Sequence, residues 1–187
     1  GFLQGIKAGL AVTLKENMGT EKIRIRENEL IEIAFRELSK IRNLHILAED
    51  IKERLGVFSF YVDNIHHNLI TILLNDRFGI QLRGGCSCAG TYGHFLLDVD
   101  FKLSKEITDR IDSGDLSMKP GWIRLSLHPT MTDDELLEII GAINQTVENI
   151  EEWKKDYCYD KHTNEFHHIG FPDEVKKEYT HWFKLSL

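Results

Sequence analysis

The chain has 187 residues and a formal net charge of −7, with 23 Lys and Arg against 30 Asp and Glu. That length suffices for one domain with a sizeable core, or one domain plus an extension, and an acidic balance without a basic block argues against a nucleic-acid partner. No apolar run approaches a membrane span and no signal segment opens the chain; three cysteines, two of them one residue apart, form no disulfide framework, so the expected compartment is a reducing cytoplasm.

The chain begins at Gly1 without methionine and is within a few residues in a helical pattern, which reads as a piece cut from a longer protein or as an expressed chain with a short leftover at its end. Leu3, Ile6, Leu10 and Leu14 recur at helical spacing over residues 3–18, and Gly19 is a good stop. A second helix is expected over 21–41, with Ile25, Leu30, Ile33, Ala34, Leu38 and Ile41 as its apolar stripe. Residues 44–47 and 56–62 are short apolar runs joined by a charged turn. The second is rich in Val, Phe and Tyr, and together they predict a hairpin. A helix follows over 66–78, ended by Gly79, with His66 and His67 expected at the surface near its start.

Residues 79–94 are the densest stretch. A strand is expected over Ile80 to Leu82, then a break at Gly84-Gly85, then two thiols, Cys86 and Cys88, on a turn. A thiol on a glycine-flanked loop, near an arginine and before a helix start, can have its pKa lowered and act as a nucleophile. Free cysteines are also commonly small buried residues. One or two helical turns are expected over 92–97, and a further helix from Ser104, as N-cap, to about Gly114. Trp122 to Leu127 alternates as a strand. Thr132 and Glu135 form a capping-box pattern opening a helix that is expected to reach about Tyr157. The tail from Asp160 has no clear period; it is expected to wrap the surface, in part disordered. This order of elements makes an open-faced α+β sandwich the natural architecture.

Three segments carry a family resemblance. Gly56-Val57-Phe58-Ser59-Phe60, the run Gly79 to Ala89, and Ile123-Arg124-Leu125-Ser126-Leu127 followed by Asp133-Asp134-Glu135 resemble, in that order, motifs from the C-terminal part of class V aminotransferases. That pyridoxal-phosphate group includes cysteine desulfurases and selenocysteine lyases. The resemblance implies the small C-terminal α/β (α+β sandwich) domain of a fold type I transferase. It divides the chain into a linking helix (1–20), the small domain (21–157) and a C-terminal extension (158–187).

Carried over by position, Cys88 matches the persulfide cysteine of desulfurases, Arg124 the arginine that grips the substrate carboxylate, and Arg83 a loop arginine near the active site. The sequence departs from the pattern at Pro129-Thr130 and at Cys86-Ser87. The family's Schiff-base lysine has no counterpart here. The implied activity is therefore that of a longer parent, with pyridoxal phosphate as cofactor, a cysteine-like amino acid as substrate, a large cofactor-binding domain as partner, and a homodimer as assembly. This chain alone is expected to be inactive and to hold no cofactor. Two other readings stand beside it. One is a metal module using Cys86, Cys88 and His94; the other is an interaction domain sharing only the fold.

Overall fold

A computed structural model describes residues 1–86 and 90–170. Helix α1 (Phe2–Met18) buries none of its residues; Leu3, Ile6, Leu10 and Leu14 are all exposed. Gly19, at φ 84, separates it from α2 (Thr20–Leu38). Only the second half of α2 is buried, through Leu30, Ile31, Ala34 and Leu38, while Ile25 remains open. The helix ends three residues before the expected Ile41, which is nonetheless buried in the following turn.

The expected hairpin is present as β1 (Leu44–Ile46) paired antiparallel with β2 (Val57–Val62). Helix α3 (His67–Phe78) ends at Gly79, whose φ of 69 places it in the left-handed region that glycine adopts without a Cβ penalty. Strand β3 is Arg83–Gly85, not Ile80 to Leu82. The N–H of Ile80 donates to the carbonyl of Leu74, six residues back, closing the end of α3. The apolar alternation of Ile80 and Leu82 reports their packing against the core, and pairing begins only at Arg83.

Helix α4 (Gly90–Leu96) falls where helical turns were expected. Helix α5 (Phe101–Asp112) starts earlier than expected: Asp100 Oδ1 accepts from the Leu103 N–H at 2.7 Å, so Asp100, not Ser104, is the N-cap. Strand β4 (Trp122–Ser126) and helix α6 (Asp133–Glu148) follow, and the capping box between Thr132 and Glu135 is complete. The helix does not continue to Tyr157. It breaks at Asn149, whose side chain donates to the Gln145 carbonyl, and resumes as the short α7 (Ile150–Trp153) and a 3₁₀ turn, Lys154–Asp156.

The tail is more ordered than its sequence suggested. Tyr157–Asp160 (β5) and Glu165–His168 (β6) form an antiparallel hairpin. It packs through Tyr157 and Phe166 against Leu69, Leu73 and Ile150. Its turn uses Asn164 at φ 61 rather than a glycine, which hides the hairpin from a sequence reading. Residues 171–187, to which the disorder expectation also applied, lie outside the described residues.

The main sheet is antiparallel in the order β1-β2-β4-β3. Phe58, Phe60, Val62, Ile123 and Leu125 point to one face and form a single core with α2, α3 and α6. The alternate residues Ser59, Tyr61, Arg124 and Ser126 point to the other, more open face. This is the α+β layering expected from the element order. No helix among the described residues is long and apolar enough to cross a membrane.

Candidate functional site

The sheet brings the three motif segments side by side. In register, Ser59 of β2 is the partner of Arg124 of β4, and Arg124 is the partner of Arg83 of β3. Directly opposed residues of an antiparallel pair share a face. Ser59, Arg124 and Arg83 therefore form a row across three strands on the open face. Arg124 is half-buried and Arg83 exposed. Both line a cleft of about 490 Å³ whose other lining residues include Gln81, Leu82, Leu125, Ser126 and Ile139.

Like charges directly opposed across a ladder destabilise it. Among the described residues, neither Arg83 nor Arg124 meets a carboxylate, whereas Arg26 bonds Glu29 and Asp133, and Arg77 bonds Asp156. Two uncompensated guanidinium forks lining one cleft are suited to gripping a carboxylate with paired hydrogen bonds. No lysine and no carboxylate line the cleft among the described residues. The described side chains lining this cleft thus offer no lysine through which pyridoxal phosphate could be held.

Cys86 leaves the end of β3 half-buried, and Gly93 of α4 approaches it: a Cβ on Gly93 would lie 3.9 Å from Cys86 Cβ and 3.2 Å from the Trp122 ring. Cys88, the expected nucleophile, lies outside the described residues. Cys158 is exposed on the C-terminal hairpin. His94, a ligand of the metal reading, sits with Nδ1 2.7 Å from Ser104 Oγ. Among the described residues no group of three His, Cys, Asp or Glu side chains could hold a metal ion.

The histidine pair corrects the sequence reading. His66 is the N-cap of α3: its Nδ1 accepts from the Asn68 N–H, and its Nε2 lies 3.2 Å from Asn164 Oδ1 in the hairpin turn. Asn164 Oδ1 also accepts from the Tyr159 hydroxyl, and the Asn164 carbonyl accepts from the Asn68 side chain. His67 is not at the surface but only 6% exposed, stacked on His66 at 4.3 Å. It fits because Gly84 and Gly121 leave room. A Cβ on Gly121 would come within 2.5–2.8 Å of three His67 ring atoms, and one on Gly84 within 2.5 Å of Asn68 Oδ1 and 3.3 Å of the His67 ring. His67 Nε2 is buried without a hydrogen-bond partner among the described residues. Burial, with smaller contributions from His66 and Lys119, pushes the His67 pKa down to about 3, so the ring is neutral at physiological pH.

Sequence reasoning missed two members of this region. Ser59 was quoted within a motif but given no role; its signal is the single polar position between Phe58 and Phe60. The burial of His67 was also missed, and the distant glycine at 121 that permits it could be recognised only once the fold was known.

A family model described as Aminotransferase class-V matches residues 3–139. The chain is 33% identical over 85 residues to the "Probable cysteine desulfurase" of Halobacterium salinarum, covering 46% of this chain and 20% of that protein. It is 28% identical over 85 residues to the "Cysteine desulfurase" of Haloferax volcanii, with the same 46% and 20% coverage. The matched part is thus about one fifth of the length of these curated relatives. The apo structure of a cysteine desulfurase from Thermococcus onnurineus NA1 superposes with a TM-score of 0.50 at 22% identity, covering 72% of this chain and 28% of that one. This last likeness is one of fold. The family match runs from α1 into the first half of α6 and takes in all three strands of the arginine row, and on that match the chain belongs to the class-V aminotransferase family.

Proposed function

We infer that this chain is the small C-terminal domain of a longer pyridoxal-phosphate enzyme that acts on a cysteine-like amino acid. The observation that carries this reading is the row formed by Arg124 and Arg83, where three motif strands meet and no carboxylate among the described residues neutralises either guanidinium. In this reading Arg124 grips the substrate carboxylate as a two-pronged donor, and Arg83 supplies a second positive group beside it. Cys88 is the sulfur-accepting thiol. In sequence it follows the end of β3, at Gly85, by three residues.

The cofactor is held by the rest of the parent, a large domain joined through the N-terminal helix. The chain alone is inactive and binds no pyridoxal phosphate covalently. The parent is a homodimer of a reducing cytoplasm. The relatives named as cysteine desulfurases and the family match support this reading. The test is to assay sulfur release from cysteine by the full-length parent and by this chain alone. Turnover by the parent that is lost without the large domain is the expected result. Turnover by the isolated chain, or a parent inactive on every amino acid tried, would overturn the reading.

A further inference from the structure

Two strand edges border one groove. Strand β3 is the last strand of the main sheet, and β6 is one of the two strands of the C-terminal hairpin. Among the described residues neither has a second neighbour. We propose that an extended segment from the rest of the parent polypeptide lies between β3 and β6 and joins the two sheets. This rests on the reading that the chain is one domain of a longer protein, and it names a contact with the remainder.

The register fixes which backbone groups are left over. The Ser59 carbonyl accepts from the Leu47 N–H at 2.8 Å, on the β1 side of β2. Pairs along an antiparallel ladder alternate between bonded and non-bonded. Ser59 and Arg124 are therefore a non-bonded pair, and the Arg124 backbone turns toward Arg83 of β3. Gly84, the next residue of β3, directs its N–H and carbonyl away from the sheet, and by the same alternation so does Leu82. The hairpin behaves alike. The Ile169 N–H donates to the Asp156 carbonyl at 2.8 Å, one step beyond the pair Tyr157 and His168. Cys158 and His167 are therefore a bonded pair, and the Phe166 backbone faces outward.

Gln81, Leu82 and Gly84 line a cavity of about 730 Å³ together with Asn164 and Phe166. The Asn68 side chain stands between these walls at one end. Its Nδ2 donates to the Asn164 carbonyl at 2.6 Å, and a Cβ on Gly84 would lie 2.5 Å from its Oδ1. One amide thus fills the gap there, as a peptide unit of an inserted strand would further along. Residues 80–82 carry the alternation of a strand, yet Gln81 and Leu82 bond to no other backbone among the described residues. No lysine or proline guards the edge from Ile80 to Gly85. A strand pattern without a partner, beside free N–H and C=O groups, is the arrangement that accepts an added strand.

The parent has chain to supply it: the matched part is about one fifth of the length of the curated relatives. The inserted backbone bonds Gly84 on one side and Phe166 on the other. Every second side chain meets Asn68, Thr71 or Asn75 of α3, so that face of the strand is polar and uncharged. The family match ends at residue 139, before the hairpin that forms one wall.

The test compares amide hydrogen exchange in the 187-residue chain and in the full-length parent. The Leu82, Gly84 and Phe166 amides should exchange about 100-fold or more slowly in the parent than in the chain. Overlapping peptides of about ten residues, covering the parent outside residues 1–187, then locate the segment. One of them should shift the three amide resonances together, and N-methylation of its alternate residues should abolish binding. Equal exchange in chain and parent, failure of every peptide to shift these amides, or a binding peptide indifferent to N-methylation overturns the proposal. Protection of Gly84 without Phe166 overturns the joining of the sheets. Protection already present in the chain and lost on removing residues 171–187 would give the groove to this chain's own end. Protection that grows with chain concentration would give it to a second copy, and either result overturns the proposal. Sulfur release is read separately. Release by a parent whose three amides stay unprotected sinks the added strand alone, and protection in a parent without turnover sinks the reaction alone.

Discussion

Arg83 and Arg124 are paired across β3 and β4 with no carboxylate to neutralise either among the described residues. Opposed like charges of this kind cost about 0.2–1 kcal/mol relative to a neutral pair. Arg83→Gln should therefore leave the fold intact and raise the melting temperature slightly. Arg124→Lys, which keeps the charge but loses the paired donors, should lower kcat/KM for amino acids about 10- to 1000-fold in the full-length parent, with little change in stability. Unchanged kinetics with an altered melting temperature would assign Arg124 to structure.

Gly121 and His67 are coupled by space. Gly121→Ala places a methyl group within 2.5–2.8 Å of the His67 ring, and overpacking of a closed site costs about 1–3 kcal/mol. Most of that loss should disappear when Gly121→Ala is combined with His67→Ala. Denaturant unfolding of the two single variants and the double variant measures the coupling. Additive losses would show that the ring and the glycine do not oppose one another.

The acid limb of the stability curve should carry the signature of His67. Its pKa is near 3 when folded against an ordinary 6.5. Between these values the unfolded chain binds a proton that the folded chain refuses, so stability falls as pH falls below about 6.5. The slope approaches about 1.4 kcal/mol per pH unit, giving a loss of about 1–2 kcal/mol between pH 6.5 and 5. His67→Gln removes the titrating group and should flatten this part of the profile, read by urea unfolding across pH.

The three thiols should differ in reactivity. Cys88 should be alkylated faster at limiting reagent than half-buried Cys86 or exposed Cys158, with the label located by mass spectrometry. Faster labelling of Cys86 or Cys158 would refute the site assignment. In the parent, Cys88→Ala should abolish sulfur release; retained release would point instead to aminotransferase-type chemistry on the same scaffold.

The helices and the two core strands were legible because their signals are local. Gly79 stops α3, Thr132 and Glu135 cap α6, and Phe58 and Phe60 alternate with Ser59. The errors arise where distant partners decide. Ile80 and Leu82 alternate like a strand, but the backbone of Ile80 is taken by the end of a helix. Val147 and Ile150 continue a helical period through a break that the Asn149 side chain helps to set. The C-terminal hairpin is held by Asn164 bonding to His66, Asn68 and Tyr159, contacts up to 98 residues apart that no short window contains. The arginines could be matched to motifs in sequence, but their shared row with Ser59 exists only in the strand register.

Helix α1 buries none of its seventeen residues. A helix of that length without a packed face is marginal in water. In the isolated chain it should exchange its amide hydrogens far faster than α3 or α6, and dilute trypsin should cut at Lys7, Lys15 and Lys22 before it opens the sheet. The fragment left by that digestion would begin just beyond Gly19 and still carry the complete β1–β4 platform. Crystallisation or titration work on the anion site could therefore begin from that shorter, protease-resistant core.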